Sequence, residues 1–123
     1  MDVDKLDINS LKSEFSKYKK DLLHLNEYMY RNPELGYQEV KSVDKITKLI
    51  NKHIEDAKFK KFADIPTAFT ASINKRTGKK NVVICIEYDA LPNIGHACGH
   101  NLISSIGLGA FFILSNYIND LHY

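Results

Sequence analysis

Asn81-Val82-Val83-Ile84-Cys85-Ile86-Glu87-Tyr88-Asp89-Ala90-Leu91-Pro92-Asn93-Ile94-Gly95-His96-Ala97-Cys98-Gly99-His100-Asn101 is the stretch whose reading decides the fold. It opens as a short, β-branched apolar run fenced by polar residues, which is how a strand buried on both faces reads. That reading puts Cys85 in the core. The run then gives way to Glu87, Asp89, His96, Cys98 and His100 in a loop punctuated by Pro92, Gly95 and Gly99. Open α/β sheets place their chemistry beyond the carboxyl ends of their strands. A long apolar segment follows His100, so the order is strand, reactive loop, buried helix.

Upstream, Leu11, Phe15, Tyr18, Leu22, Leu25 and Met29 recur at three- and four-residue steps. The spacing predicts an amphipathic helix from an N-cap at Ser10 to about Tyr30, stopped by Pro33. Asn32 to Gly36 reads as a turn. A second helix is predicted from about Gln38 to His53, with Val40, Val43, Ile46, Leu49 and Ile50 on its apolar face. Extended segments are expected over 58–62, anchored by Phe59 and Phe62, and over 67–73. The polar turn 75–80 would join the latter to the central strand as a hairpin. The last helix is predicted from Asn101 to about Asn119. The expected fold is therefore α/β: two amino-terminal helices, a mixed sheet of about three strands, and a buried carboxy-terminal helix in a partial three-layer sandwich. Three strands and two amphipathic helices leave the last helix partly uncovered. The 123 residues thus read as the first part of a larger domain, with no internal boundary.

Composition excludes several functions. A net charge of +2 with scattered lysines argues against nucleic acid and against an anionic membrane surface. Acids at Asp2, Asp4 and Asp7 stand where a signal peptide needs bases, and the two cysteines fit a reducing compartment, so a cytoplasmic protein is expected. Segment 102–118 is too short, and too interrupted by Ser104, Ser105, Ser115 and Asn116, for a membrane span.

Cys98 and His100 flank a single glycine, and a thiolate and an imidazole are both good zinc ligands at that spacing. Asp89 at the strand end is placed to orient a ligating imidazole. Each residue also has an ordinary reading: a small core thiol, a helix-start histidine, a turn aspartate. A nucleophilic Cys98 at a helix N-terminus, with His96 or His100 as base, is a further chemistry the spacing allows. His24, His53 and His122 read as solvated.

Three blocks narrow the choice: Asn32-Pro33-Glu34-Leu35-Gly36-Tyr37-Gln38-Glu39, Glu87-Tyr88-Asp89-Ala90-Leu91-Pro92, and Gly95-His96-Ala97-Cys98-Gly99-His100-Asn101. In this order they resemble the zinc-dependent amidohydrolases of the aminoacylase and hippurate hydrolase metallopeptidase family. Glu87-Tyr88 and Asn101 resemble its p-aminobenzoyl-glutamate hydrolase and dipeptidase branch; hippurate-type members usually carry Asp at the latter position. The resemblance implies Cys98 and His100 as metal ligands and Asp89 as an orienting carboxylate near the metal, and leaves the role of His96 open. It implies a divalent metal, zinc by preference, with manganese or cobalt as substitutes. The implied reaction is hydrolysis of an amide in an N-acyl amino acid, an aminobenzoyl-glutamate-like conjugate or a dipeptide, by metal-activated water with a glutamate as general base. Family members run to roughly three times this length, and their general base and remaining ligands lie downstream. Residues 1–123 are thus expected to be the amino-terminal part of such a catalytic domain, inactive alone. Expected partners are the small amide substrate of the parent enzyme and the missing carboxy-terminal part, or a second copy docked on apolar helix 102–118. The alternative class is a non-catalytic binding fragment that docks on a full-length relative through that helix.

Overall fold

A computed structural model describes residues 7–73 and 81–117. In chain order it contains helix α1 (Ile8–Arg31), helix α2 (Val40–His53), strand β1 (Lys58–Lys61), strand β2 (Phe69–Ser72) and helix α3 (His100–Tyr117). The described residues thus form three helices and one two-stranded antiparallel sheet, an α/β arrangement. The expected third strand and the sandwich built on it are not found among them. The turn 75–80, the end of the last helix near Asn119 and His122 lie outside the described residues.

α1 forms on the periodicity read from the sequence, and its Tyr18, Leu22, Leu25 and Met29 are all buried. It starts earlier than expected. Asp7, not Ser10, holds the capping position, and its carbonyl accepts from Leu11 N at 3.2 Å. At the other end Asn32 N bonds the Tyr28 and Met29 carbonyls, and Asn32 Nδ2 donates to Tyr28 O at 2.8 Å. Those bonds satisfy orphan carbonyls just before Pro33 ends the helix.

α2 starts at Val40 instead of Gln38, because Gln38 N closes a turn onto Leu35 O with Tyr37 at φ +68°. Ile46 and Ile50 reach the core, while Val40 stays exposed. Asp21 ties α1 to the end of α2, accepting from Lys52 Nζ at 2.7 Å and meeting His53 Nε2 at 2.8 Å. The Lys52 hydrogen bond holds the Asp21 carboxyl below its usual range against the opposing effect of burial, and His53 adds to it. His53 was expected in solvent. It is half-buried instead, its ring 5.0 Å from both Tyr18 and Phe112.

The hairpin closes between segments different from those expected. β1 pairs with β2 in register from Lys58↔Ser72 to Lys61↔Phe69, whereas the sequence pattern paired 67–73 with 81–88. The connection between them is short, and its ends are bonded by Phe62 N to Ala68 O at 3.0 Å. Phe59 and Phe62 are exposed instead of anchoring a core.

The apolar run 81–88 is in no ladder among the described residues. One side is covered: Ile84 and Ile86 lie against α3 at Gly107, and the Tyr88 hydroxyl donates to Thr67 O. Val82, Val83 and Cys85 are exposed. The placement of Cys85 in the core is therefore overturned, because period-two alternation puts it with Val83, opposite Ile84 and Ile86, which lie against α3.

α3 is the hub. It buries Asn101, Ser104, Gly107, Leu108, Gly109 and Phe112, and joins Tyr18, Leu22, Leu25, Met29, Ile46, Ile50 and Ile54 in one core. Leu102, Ile103 and Ile106 remain exposed. No helix among the described residues is long and apolar enough to cross a membrane. Both buried glycines serve close approach. A Cβ on Gly107 would run into Ile86 Cγ2, and one on Gly109 would sit 3.1 Å from Leu22 Cδ1. Gly107→Ala should therefore destabilise the fold by about 1–3 kcal/mol, the cost of overpacking. Denaturant unfolding checks this, and an unchanged midpoint would contradict the packing described.

Candidate functional site

Two backbone clamps fix the end of the apolar run. Ala90 N donates to Glu34 O at 2.7 Å beside a parallel bridge between Leu35 and Ala90. On the other flank Ser104 Oγ donates to Glu87 O at 2.6 Å. Residues 87 to 90 are thus held between the 33–36 turn and the first turns of α3. Glu34 has a second duty: its carboxylate accepts from Lys41 N at 3.0 Å and from Ser42 N and Oγ at 2.8 Å. It caps α2 from outside the helix, satisfying N–H groups that have no partner within it. Burial alone would raise the Glu34 pKa, but the hydrogen bonds from Lys41 and Ser42 outweigh it and hold the carboxyl below its ordinary value.

The loop that follows is closed on itself. Leu91 N bonds Gly95 O at 2.9 Å and Gly95 N bonds Leu91 O at 3.1 Å, with Asn93 at φ +67° and Gly95 at φ +60°. A second turn brings Gly99 N onto His96 O at 3.0 Å, with Gly99 at φ +76°. A left-handed residue is required there, and glycine adopts it without strain. α3 then starts at His100, anchored to α1 by Asn101 Nδ2 donating to Asn26 Oδ1 at 2.9 Å.

This route brings His100 onto Asp89, eleven residues earlier. His100 Nδ1 lies 2.7 Å from Asp89 Oδ1 and 3.1 Å from the Asp89 carbonyl oxygen. Both oxygens can only accept, so Nδ1 is the donor and carries a proton. Nε2 is left as the ring's free donor atom, and it faces Glu87 Oε2 at 3.3 Å. An imidazole oriented through one nitrogen by a carboxylate is the usual arrangement of a ligating histidine.

Of the residues singled out from the sequence, Asp89 and His100 are brought together. Cys98 is exposed on the loop, and no hydrogen bond joins it to either neighbouring histidine: both His96 ring nitrogens are unpartnered, and those of His100 face Asp89 and Glu87. The nucleophile–base pairing open at the sequence level thus has no contact to support it. A soft thiol and an imidazole fit a zinc-like ion as donor types. Among the described residues, however, no three His, Cys, Asp or Glu side chains are gathered as a metal-holding group.

Sequence reasoning gave Glu34 only a turn, and His96 only the role of a possible base for Cys98. His96 is buried, with its ring nitrogens unpartnered. Burial pushes its pKa down and the charge of His100 acts the same way, while Asp89 opposes them. Tyr88, between the run and the hairpin, has its pKa pushed up to about 12 by burial and by the neighbouring Glu39 carboxylate. For Glu34, the legible signal is an acid ahead of a helix that starts without a good N-cap residue.

No family model matches the chain. Curated relatives do. The chain is similar to the Xaa-Arg dipeptidase of Mus musculus, at 34% identity over 93 residues, and to that of Homo sapiens, at 32% over 96. Each match takes in 70% of this chain and 22% of the relative. It is also similar to the N-acetyldiaminopimelate deacetylase of Oenococcus oeni, at 28% identity over 105 residues, 73% of this chain and 28% of the relative. The resemblance is to hydrolases of the dipeptidase and deacetylase type, and the chain spans about a quarter of their length.

The capping role of Glu34 is directly testable. With the folded-state pKa below the ordinary value, the ionised carboxylate contributes stability above about pH 4.3 and loses it as pH falls through the folded-state value. Glu34→Gln should cost about 1–2 kcal/mol at neutral pH, and the gap to the wild type should close in acid. A pH series of thermal unfolding reads this; a gap that persists in acid would contradict it.

Proposed function

We propose that this chain is the amino-terminal part of a metal-dependent amidohydrolase or dipeptidase. Its substrates would be N-acyl amino acids, aminobenzoyl-glutamate-like conjugates or dipeptides, whose amide bond is hydrolysed. The observation that carries the proposal is the His100 imidazole at the start of α3, held at Nδ1 by Asp89 with Nε2 facing Glu87. Similarity to dipeptidases and to a deacetylase supports the same class of reaction.

His100 Nε2 and the Cys98 thiolate are the donors assigned to the ion, with zinc preferred for its affinity for sulfur and manganese or cobalt as substitutes. A divalent ion bound there supplies Lewis-acid polarisation of the scissile carbonyl and an acidified water. The chain's own residues do the positioning. Asp89 keeps the proton of His100 on Nδ1 and fixes the ring plane. The Glu34 carbonyl and the Ser104 hydroxyl hold the backbone on which Asp89 sits. Gly99 lets the loop turn into α3 so that Cys98 and His100 leave it two residues apart.

Zinc and cobalt titrations of the isolated chain test this reading. Binding should be weak, should fall as pH drops because protons compete for the thiolate and the imidazole, and should be lost in Cys98→Ala and in His100→Ala. Asp89→Asn should weaken it by about 10–100-fold, the usual effect of removing the partner that orients a ligating histidine. Unchanged uptake in His100→Ala would defeat the proposal.

A further inference from the structure

His100 has two acceptor-bearing neighbours, and they relate to its ring differently. Asp89 Oδ1 meets Nδ1 at 2.7 Å, a short hydrogen bond. Glu87 Oε2 meets Nε2 at 3.3 Å, beyond the usual 2.7–3.2 Å range for N–H···O contacts. In the neutral ring with Nδ1 protonated, Nε2 presents a lone pair to the carboxylate facing it; in the doubly protonated ring the same contact is an ion pair. Either way the two atoms are joined through a positive centre, a proton or a metal ion.

The 3.3 Å separation is long for a proton shared in a hydrogen bond and fits a metal ion. Zinc lies about 2.0–2.1 Å from an imidazole nitrogen and about 2.0–2.2 Å from a carboxylate oxygen, so the nitrogen–oxygen edge of its tetrahedron is about 3.3–3.5 Å. The Glu87–His100 pair has the length of that edge. Its placement is fixed independently. Ser104 Oγ holds the Glu87 carbonyl at 2.6 Å, one turn along α3 from His100. Period-two alternation puts Glu87 on the same side of the chain as Asp89. The two carboxylates therefore divide the work: Asp89 orients the ring, and Glu87 stands where the ring points. The Glu87 side chain is 57% exposed, which leaves the rest of a coordination shell open to Cys98, water and substrate.

We infer that Glu87 is itself a ligand of the divalent ion, sharing it with His100 through one carboxylate oxygen. The inference rests on the metal-dependent reading above and adds a donor to it. The pair also supplies a role for the first acid of Glu87-Tyr88-Asp89, which the reading of Asp89 as an orienting group leaves unused.

Cobalt(II), followed by its visible absorption, is the probe, with the full 123-residue chain, Glu87→Gln and Glu87→Ala compared under reducing conditions. Both variants should lose about tenfold or more in cobalt affinity, and the visible band envelope should change because a carboxylate oxygen leaves the shell. Thermal midpoints of the metal-free proteins should stay together, as expected for an exposed side chain outside the core. Glutamine retains a neutral oxygen of the same reach, so comparing it with alanine separates lost charge from lost ligation. An affinity loss with an unchanged band envelope would make Glu87 a distant charge and overturn the assignment. Wild-type affinity in both variants would overturn it too, while leaving the Cys98 and His100 reading intact. If the wild-type chain takes up no cobalt, the metal-dependent reading itself fails.

Discussion

Close packing of α3 is the constraint on which the rest of this structure depends. One side of the helix meets α1 through Gly109 and Leu22, and another meets the apolar run through Gly107 and Ile86. A helix with ordinary side chains at both positions would stand off from one neighbour or the other. Phe112, fully buried, then fills the junction with Tyr18 and His53. Interiors at crystal-like density leave little slack, so the positions of the run and of the start of α3 are set together.

That coupling produces the site. His100 is the first residue of α3, and Glu87 and Asp89 close the run packed beside it. Once the helix and the run are locked through Ile84, Ile86 and the Ser104–Glu87 hydrogen bond, the imidazole has two carboxylates within reach. The 33–36 turn adds a brace from outside the core: Glu34 binds Ala90 through its carbonyl and caps α2 through its carboxylate. One residue thus couples the strand end to the orientation of the second helix. The Asp89–His100 pair inherits the rigidity of the packing beneath it.

The helices were largely legible in the sequence, because Tyr18, Leu22, Leu25 and Met29 follow a period set by local geometry. The meeting of Asp89 with His100 was legible too, since both flank a loop tightened by Pro92, Gly95 and Gly99. Strand pairing was not. Residues 58–62, 67–73 and 81–88 all carry β-branched or aromatic residues, and nothing local says which two share a ladder. Cys85 was misplaced for a related reason: an apolar run reads as buried on both faces only if something covers both, and here α3 covers one. The capping by Glu34 was hidden by its distance from the helix it serves, for a carboxylate that reaches Lys41 N and Ser42 N from the preceding turn leaves no periodic trace. His53 carried a polar label that its contacts with Tyr18 and Phe112 override.

The central claim is that Asp89 fixes the tautomer of His100 and leaves Nε2 as its unprotonated nitrogen. Long-range proton–nitrogen correlation spectra of the metal-free chain, labelled with nitrogen-15 and recorded at a pH where the imidazole is neutral, test it most directly. The account predicts that His100 carries its proton on Nδ1, with Nε2 showing the shift of an unprotonated ring nitrogen, and that Asp89→Asn relaxes this preference. A His100 ring protonated on Nε2 in the wild-type chain would contradict it.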